Sequence, residues 1–369
     1  MQPLRPGFPK KLEGPMAWDG TTFEFKPELY TSTLSPKDLN HLKNAIEHFK
    51  ALGISRGCIT RDTFPLPSPL SELLGSVTDD INNGKGFHVV RGIDPALFSK
   101  EDHVVLFAGI AAYVASNRAA LIDHICDGKI EGAGNDNLRP TELSVRMDFH
   151  TDADAGAILA LFTEQTAQTG GEQYLSSFWH CYNIMSRDKP EVIDTLAEDW
   201  HWEKPGHKDP SLNQILPRRA IVGLADGKIQ INYGRTFVAG HPKYPLTQAA
   251  PPLSKAQAEA LQVLSETANR SSFKLDTQVG DILFVNNLSI MHARGAYSDN
   301  PDSGKVRHLL RLWLNDRDSW PFAPSLKYFN GPEFWNAPPD EQKLHTFDEW
   351  KQTPRYLRVT DTSNNHAHD

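Results

Sequence analysis

Cysteine is scarce in this chain of 369 residues: only Cys58, Cys126 and Cys181 occur. Their spacings make neither a disulfide framework nor a cysteine-type zinc site, so cross-links do not hold the fold and a reducing compartment is expected. No run approaches the roughly 18 apolar residues of a membrane span. The N-terminal "MQPLRPGFPKKLEGP" lacks an apolar signal core, and together these absences predict a cytoplasmic protein without a membrane partner. Basic clusters are missing too: acidic side chains outnumber basic ones, 46 to 38, with no dense Lys/Arg run, which argues against a nucleic-acid partner. Internal repeats and long linkers are absent, so residues 1–369 read as one domain, with nothing to fix its oligomeric state. What the chain does have is 39% hydrophobic residues, enough for a large core that needs no metal or disulfide to fold.

The pattern along the chain is mainly β with helical additions. Residues 1–35, rich in Pro and Gly with Trp18, Phe23 and Phe25, read as an arm laid over the body. Helical spacing follows in "SPKDLNHLKNAIEHFKAL", capped by Ser35, and recurs in "SKEDHVVLFAGIAAYVAS" and in "SKAQAEALQVLSETAN" (254–269). "GFHVVRGI" (86–93) is a strand. From 143 onward short apolar strands alternate with turn residues: "AGAILALF", "GGEQYLSSFW", "RAIVGLADGKIQINY", "FKLDTQVGDILFVNN", "IMHARGAY" and "RHLLRLWLND". Many short strands predict a sandwich or barrel over 80–316, and "LADGKI" is an Asp-Gly hairpin. Residues 317–369 form a tail rich in Pro and aromatics.

One stretch within the predicted core carries chemistry. In a strand, residues i and i+2 point the same way, so His-x-Asp can deliver two ligands of the two-histidine, one-carboxylate set that holds non-haem iron. Chance alone gives roughly two His-x-Asp/Glu matches in this composition, and the chain has three, so context must choose. His207/Asp209 lie among Pro and Gly and read as a loop, while His201/Glu203 have no further ligand candidate nearby. His150/Asp152, in "MDFHTDADAGA", enter an apolar strand. Strict alternation would put Arg146, Asp148, His150 and Asp152 on one face, and four ionisable groups on a buried face need partners. Downstream, His292 ends one apolar strand, and Arg307 and Arg311 lie on the next. A divalent iron needs a third ligand and a buried arginine needs an anion; a dicarboxylate co-substrate bridging the two satisfies both.

"FHTD" (149–152), "AGAILAL", "TGGEQYL" (169–175), "MHARGAY" and "RHLLR" together resemble the Fe(II)- and 2-oxoglutarate-dependent oxygenases of the taurine dioxygenase (TauD/TfdA), clavaminate-synthase-like group. "GKGFHVVRGI" is similar to that group's opening strand, and "EGPMAW" to the start of its fungal members. The resemblance implies a double-stranded β-helix, or jelly roll, with helices packed outside. It implies that His150, Asp152 and His292 are the metal ligands and catalytic centre, that Arg307 binds 2-oxoglutarate, and that Arg311 faces an anionic group of a small substrate. Gln173 stands where taurine dioxygenase has a threonine contact to 2-oxoglutarate, and Arg146 where it has an asparagine; both are candidate co-substrate contacts. His124, in "LIDHICD", and Phe347 of the tail, with Trp335, are candidates to line or cover the substrate pocket, and Asp154 shares the parity of the ligands. The implied activity uses Fe(II), 2-oxoglutarate and O2 to oxidise a C–H bond by hydroxylation, desaturation or ring closure. The alternative is a jelly-roll protein that binds a metal or a carboxylate without turnover, for which Arg307 has no evident use.

Overall fold

Alternation in the strands decides which side chains meet which layer. A computed structural model describes residues 4–128, 140–153, 155–203, 215–224, 226–241, 245–247, 250–315, 320, 323, 335 and 337–353. The helices labelled here are α1 (Pro36–Ala51), α2 (Ser68–Asn82), α3 (Lys100–Val114), α4 (Phe178–Asp188), α5 (Pro190–Leu196), α6 (Lys255–Arg270) and α7 (Phe347–Gln352). The strands are β1 (Thr31–Thr33), β2 (Phe87–Arg91), β3 (Asn117–Arg118), β4 (Asp123–Cys126), β5 (Met147–His150), β6 (Ile158–Gln165), β7 (Gln173–Ser177), β8 (Phe273–Lys274), β9 (Ile282–Asn286), β10 (Ile290–Arg294) and β11 (His308–Asn315).

A major sheet runs β1-β2-β9-β6-β11-β3, with β4 also paired to β11, and a minor sheet runs β8-β7-β10-β5. Apart from the parallel β1–β2 pair, these ladders are antiparallel. Ile158, Ala160, Phe162, Ile282, Phe284, Leu310, Leu312 and Leu314 point outward and pack with the apolar faces of α1, α2 and α3. Their neighbours Leu159, Leu161, Leu283, Val285, Leu309 and Trp313 point inward, between the sheets. On the far side α4, α5 and α6 cover the minor sheet through Met291, Ala293 and Phe149. This is the expected two-sheet jelly-roll arrangement, because period-2 strands with both faces apolar bury both only when layers lie on each side.

The three helices expected from spacing form where predicted, each opened by a capping box at Ser35, Ser99 or Ser254. The Asp-Gly hairpin forms as well, with Ile221–Gly223 antiparallel to Ile229–Ile231 and Gly227 at φ 80°. Two expectations change. "GGEQYLSSFW" is a strand only to Ser177, whose hydroxyl then accepts from the His180 amide and starts α4. The N-terminal arm is inserted more than laid over: Trp18, Phe23 and Tyr30 pack edge-on and tilted against Phe87 and Phe273, closing one end of the space between the sheets. Phe25 stays exposed. Among the described residues, no helix is long and apolar enough to cross a membrane.

Candidate active site

The space between the sheets holds a cavity of about 570 Å³ of empty space including its mouth. Its walls are aliphatic, with Ile125, Leu159, Leu161, Leu283, Val285 and Leu309, and seven ionisable or amide side chains converge on it: His150, Asp152, Gln173, His292, Arg294, Arg307 and Arg311. His150 and Asp152 come from the end of β5, His292 from the neighbouring β10, where it is directly paired with His150. Each of the three offers one ligand atom, all within 4.8 Å of one another. Asp152 Oδ1 lies 3.7 Å from His150 Nε2 and 3.4 Å from His292 Nε2.

The surroundings aim these atoms. His150 Nδ1 donates to the Asp148 carbonyl at 2.8 Å, which leaves the Nε2 lone pair facing Asp152. Burial, then the neighbouring His292, pushes the His150 pKa down to about 4, so at neutral pH it is an uncharged donor. Burial opposes ionisation of Asp152, but Arg311, His292 and His150 outweigh it and hold its carboxyl far below the usual range. Asp152 Oδ2 accepts from Trp313 Nε1 at 2.8 Å and Arg311 Nη1 at 3.1 Å, and Arg311 Nη2 donates to Asp123 at 2.7 Å. The backbone is fixed as firmly: the Asp152 amide donates to Asn287 Oδ1, and Asn287 Nδ2 donates to the carbonyls of Asp152 and Gly156. One carboxylate oxygen is thus committed to the protein. The other converges with two imidazoles, and a lone pair set against a carboxylate oxygen is an arrangement that a cation between them stabilises. The donor set fits a divalent iron.

Arg307 precedes β11 and is deeply buried, with Nη1 lacking a partner. Burial, then nearby Arg294, pushes its pKa down to about 10, still charged at neutral pH. Gly171 makes room for it: at φ +78° a Cβ there would be strained and would meet Arg307 Cδ at 3.3 Å, which accounts for the glycine of "TGGEQYL". Gln173 lines the same cavity, with Nε2 3.5 Å from Thr277 Oγ1.

Other expected site residues stand elsewhere. Arg146 is exposed, 3.4 Å from Asp148 and bonded to Asn269, and does not line the cavity. The reason is a β-bulge. His292 pairs with His150 but Arg294 with Met147, so three steps on β5 oppose two on β10. Strict alternation therefore fails: Met147 and His150 both face the cavity, and Arg146 and Asp148 turn outward. Asp148 contributes its carbonyl, not its carboxylate. His124 and Phe347 are also misplaced by the sequence reading. Alternation on β4 sends Asp123 and Ile125 inward and His124 outward, where its ring packs on His308, Phe347 and Trp350 on the outer side of the major sheet. Trp335 packs against the core between the sheets. Arg311, expected to meet a substrate anion, has two nitrogens on Asp152 and Asp123; its Nε is buried without a partner. Glu203 accepts from Thr247 within a small hairpin, a structural role, while Asp154, His207 and Asp209 lie outside the described residues. Asn287, Trp313 and Arg294 were missed. The last two sit two residues beyond Arg311 and His292 on the same strand faces, so parity alone could have found them.

Residues 49–313 match the family described as "Taurine catabolism dioxygenase TauD, TfdA family". The "Taurine hydroxylase-like protein SAT17" of Stachybotrys chartarum is 33% identical over 328 residues, covering 86% of this chain and 83% of that protein. Among solved structures, an asparagine oxygenase in complex with Fe(II), 2S,3S-3-hydroxyasparagine and succinate superposes with a TM-score of 0.57 at 16% identity, over 81% of this chain and 98% of the other. The non-heme iron oxygenase OrfP, in complex with Fe and alpha-ketoglutaric acid, does so with a TM-score of 0.57 at 17% identity, over 77% and 93%.

Proposed function

The chain belongs to the TauD, TfdA dioxygenase family, and from that premise we propose an Fe(II)- and 2-oxoglutarate-dependent oxygenase acting on a small carboxylate-bearing substrate, an amino acid or related metabolite. One observation carries this reading: three convergent ligand atoms and a buried, incompletely partnered arginine share one aliphatic cavity. His150, Asp152 and His292 hold the metal, and Arg307 takes the distal carboxylate of 2-oxoglutarate with Gln173 beside it. Iron with bound 2-oxoglutarate and O2 supplies oxidising power for a C–H bond, with succinate and carbon dioxide as co-products.

The protein contributes orientation and dryness. Trp313 and Arg311 occupy one oxygen of Asp152, so the carboxylate would hold the metal through the other. The aliphatic walls exclude water around a reactive centre. Arg311 Nε is the donor left for an anionic group of the substrate, and the hydroxyasparagine held by the asparagine oxygenase makes an amino acid carboxylate the first candidate. Cys58, Cys126 and Cys181 form no disulfide with one another, which suits a reducing cytoplasm.

The test is anaerobic addition of Fe(II) followed by 2-oxoglutarate. A weak visible charge-transfer band is expected; normal iron binding with no band overturns the reading in favour of a metal-binding jelly roll. Screening amino acids for stimulated succinate release then identifies the substrate.

A further inference from the structure

Arg294 lies two residues beyond His292 on β10 and shares its face. The ladder sets it directly opposite Gln173 on β7 and Met147 on β5, and all three line the cavity. It is 6% exposed. Its Nη2 donates to the carbonyls of Leu143, at 2.8 Å, and Val145, which fixes the guanidinium plane, while Nε and Nη1 are buried without partners. Arg307, 5% exposed, brings a third such nitrogen, Nη1. Both guanidinium groups stand over one ring, with the carbons of Arg294 and Arg307 4.6 and 5.3 Å from the Tyr297 centroid, and the buried Tyr297 hydroxyl lies against Arg294. Two carboxylates act on this cluster electrostatically, Asp127 and Asp299, and Asp299 Oδ1 accepts from the Arg307 backbone amide at 2.9 Å.

A buried donor left unsatisfied is costly, so three on the two guanidinium groups that line this cavity mark a place built for an acceptor. A carboxylate offers two oxygens that can each take more than one N–H or O–H. The ring partners separate this end of the cavity from the metal end, since Arg311 stacks on Trp313 at 4.4 Å and is bonded to Asp152.

We infer that Arg294 is a second arginine for the distal carboxylate of 2-oxoglutarate, gripping it together with Arg307. The inference rests on the proposed co-substrate. It makes the distal carboxylate, rather than the keto acid head, the main source of selectivity, with Gln173 left as a neighbour on the opposite strand.

The experiment compares 2-oxoglutarate with 2-oxovalerate, which keeps the chelating head and lacks the distal carboxylate, by the charge-transfer band of the anaerobic Fe(II) protein. Arg294→Gln is expected to weaken 2-oxoglutarate about 10- to 100-fold, the worth of a charged hydrogen-bond pair, and to leave 2-oxovalerate and the apparent metal affinity unchanged. Arg294→Lys, which retains a cation and a donor for the Leu143 and Val145 carbonyls, guards against a folding defect and should fall between. Equal weakening of both keto acids by both variants, or no change in either, overturns the role of Arg294. If Arg307→Gln discriminates between the two keto acids while the Arg294 variants do not, only this inference fails. If no variant discriminates, the co-substrate assignment falls with it.

Discussion

Strand β11 has a histidine–carboxylate set on each side, and the two sets do opposite things. Inside lie His150, Asp152 and His292, with the Nε2 atoms of both rings turned to one carboxylate oxygen beside a cavity. Outside lie His103, Glu164 and His308, on the α3 face of the sheet. There His103 Nδ1 bonds Glu164 and its Nε2 reaches the Pro95 carbonyl at 2.9 Å; His308 Nδ1 stands 2.6 Å from Glu164; and His308 Nε2 meets His124 Nδ1 at 2.9 Å. His124 Nε2 ends the chain on the His345 carbonyl at 3.0 Å. The outer set spends its ring nitrogens on one another, on Glu164 and on backbone carbonyls, whereas the inner set turns the Nε2 atoms of two rings and a carboxylate oxygen toward one spot beside the cavity. Residue types do not make a metal site; the direction and partners of their nitrogens do.

Breaking the two sets should therefore have separate consequences. The largest effect is expected from His292→Ala or Asp152→Ala, which should abolish metal binding in a calorimetric titration and with it turnover, while the fold persists. Glu164→Gln should instead cost about 3–5 kcal/mol of stability, the penalty for stranding one member of a buried ion pair, read by chemical denaturation, with metal affinity intact. If Glu164→Gln removed metal binding, the division between inner and outer sets would be wrong. Arg307→Ala should retain the metal and weaken 2-oxoglutarate by about 100-fold, or roughly 2.7 kcal/mol. Trp313→Phe keeps the ring and deletes one bond to Asp152; metal affinity should fall about 10-fold and the charge-transfer band should shift, an outcome that lost packing alone would not produce.

The smallest effect concerns the cover of the outer set. Helix α7 places Phe347 and Trp350 on His124 and is clamped by Arg56 Nη2 to Glu349 at 2.5 Å. Burial raises the Glu349 pKa, but its bonds to Arg56 and Thr346 outweigh this and bring it from 4.5 down to about 2. A depressed folded pKa means the stabilisation is complete above pH 4.5 and is lost as pH falls through about 2. Because the Glu349 side chain is 44% exposed, screening limits the loss in Glu349→Gln to about 1 kcal/mol or less, and that difference from wild type should vanish at low pH.

Much of this molecule is determined locally. Capped helical periods mark α1, α3 and α6, and period-2 runs mark the strands, because those patterns are the only ways such segments can bury their apolar side chains. The order of "FHTD", "MHARGAY" and "RHLLR" singles out His150, Asp152, His292 and Arg307 as site candidates, since the spacing of strands carries them into one space. Tertiary structure decided the rest. A bulge in β5 turned Arg146 outward, a contact across the sheets gave Arg311 to Asp152, and the β4–β11 ladder gave it to Asp123. The layer outside β4 and β11 claimed His124 and Phe347 for its own packing. Alternation fixes only that neighbours differ in direction; which face becomes the cavity, and where an extra residue breaks the count, depends on the strands and layers that pack alongside.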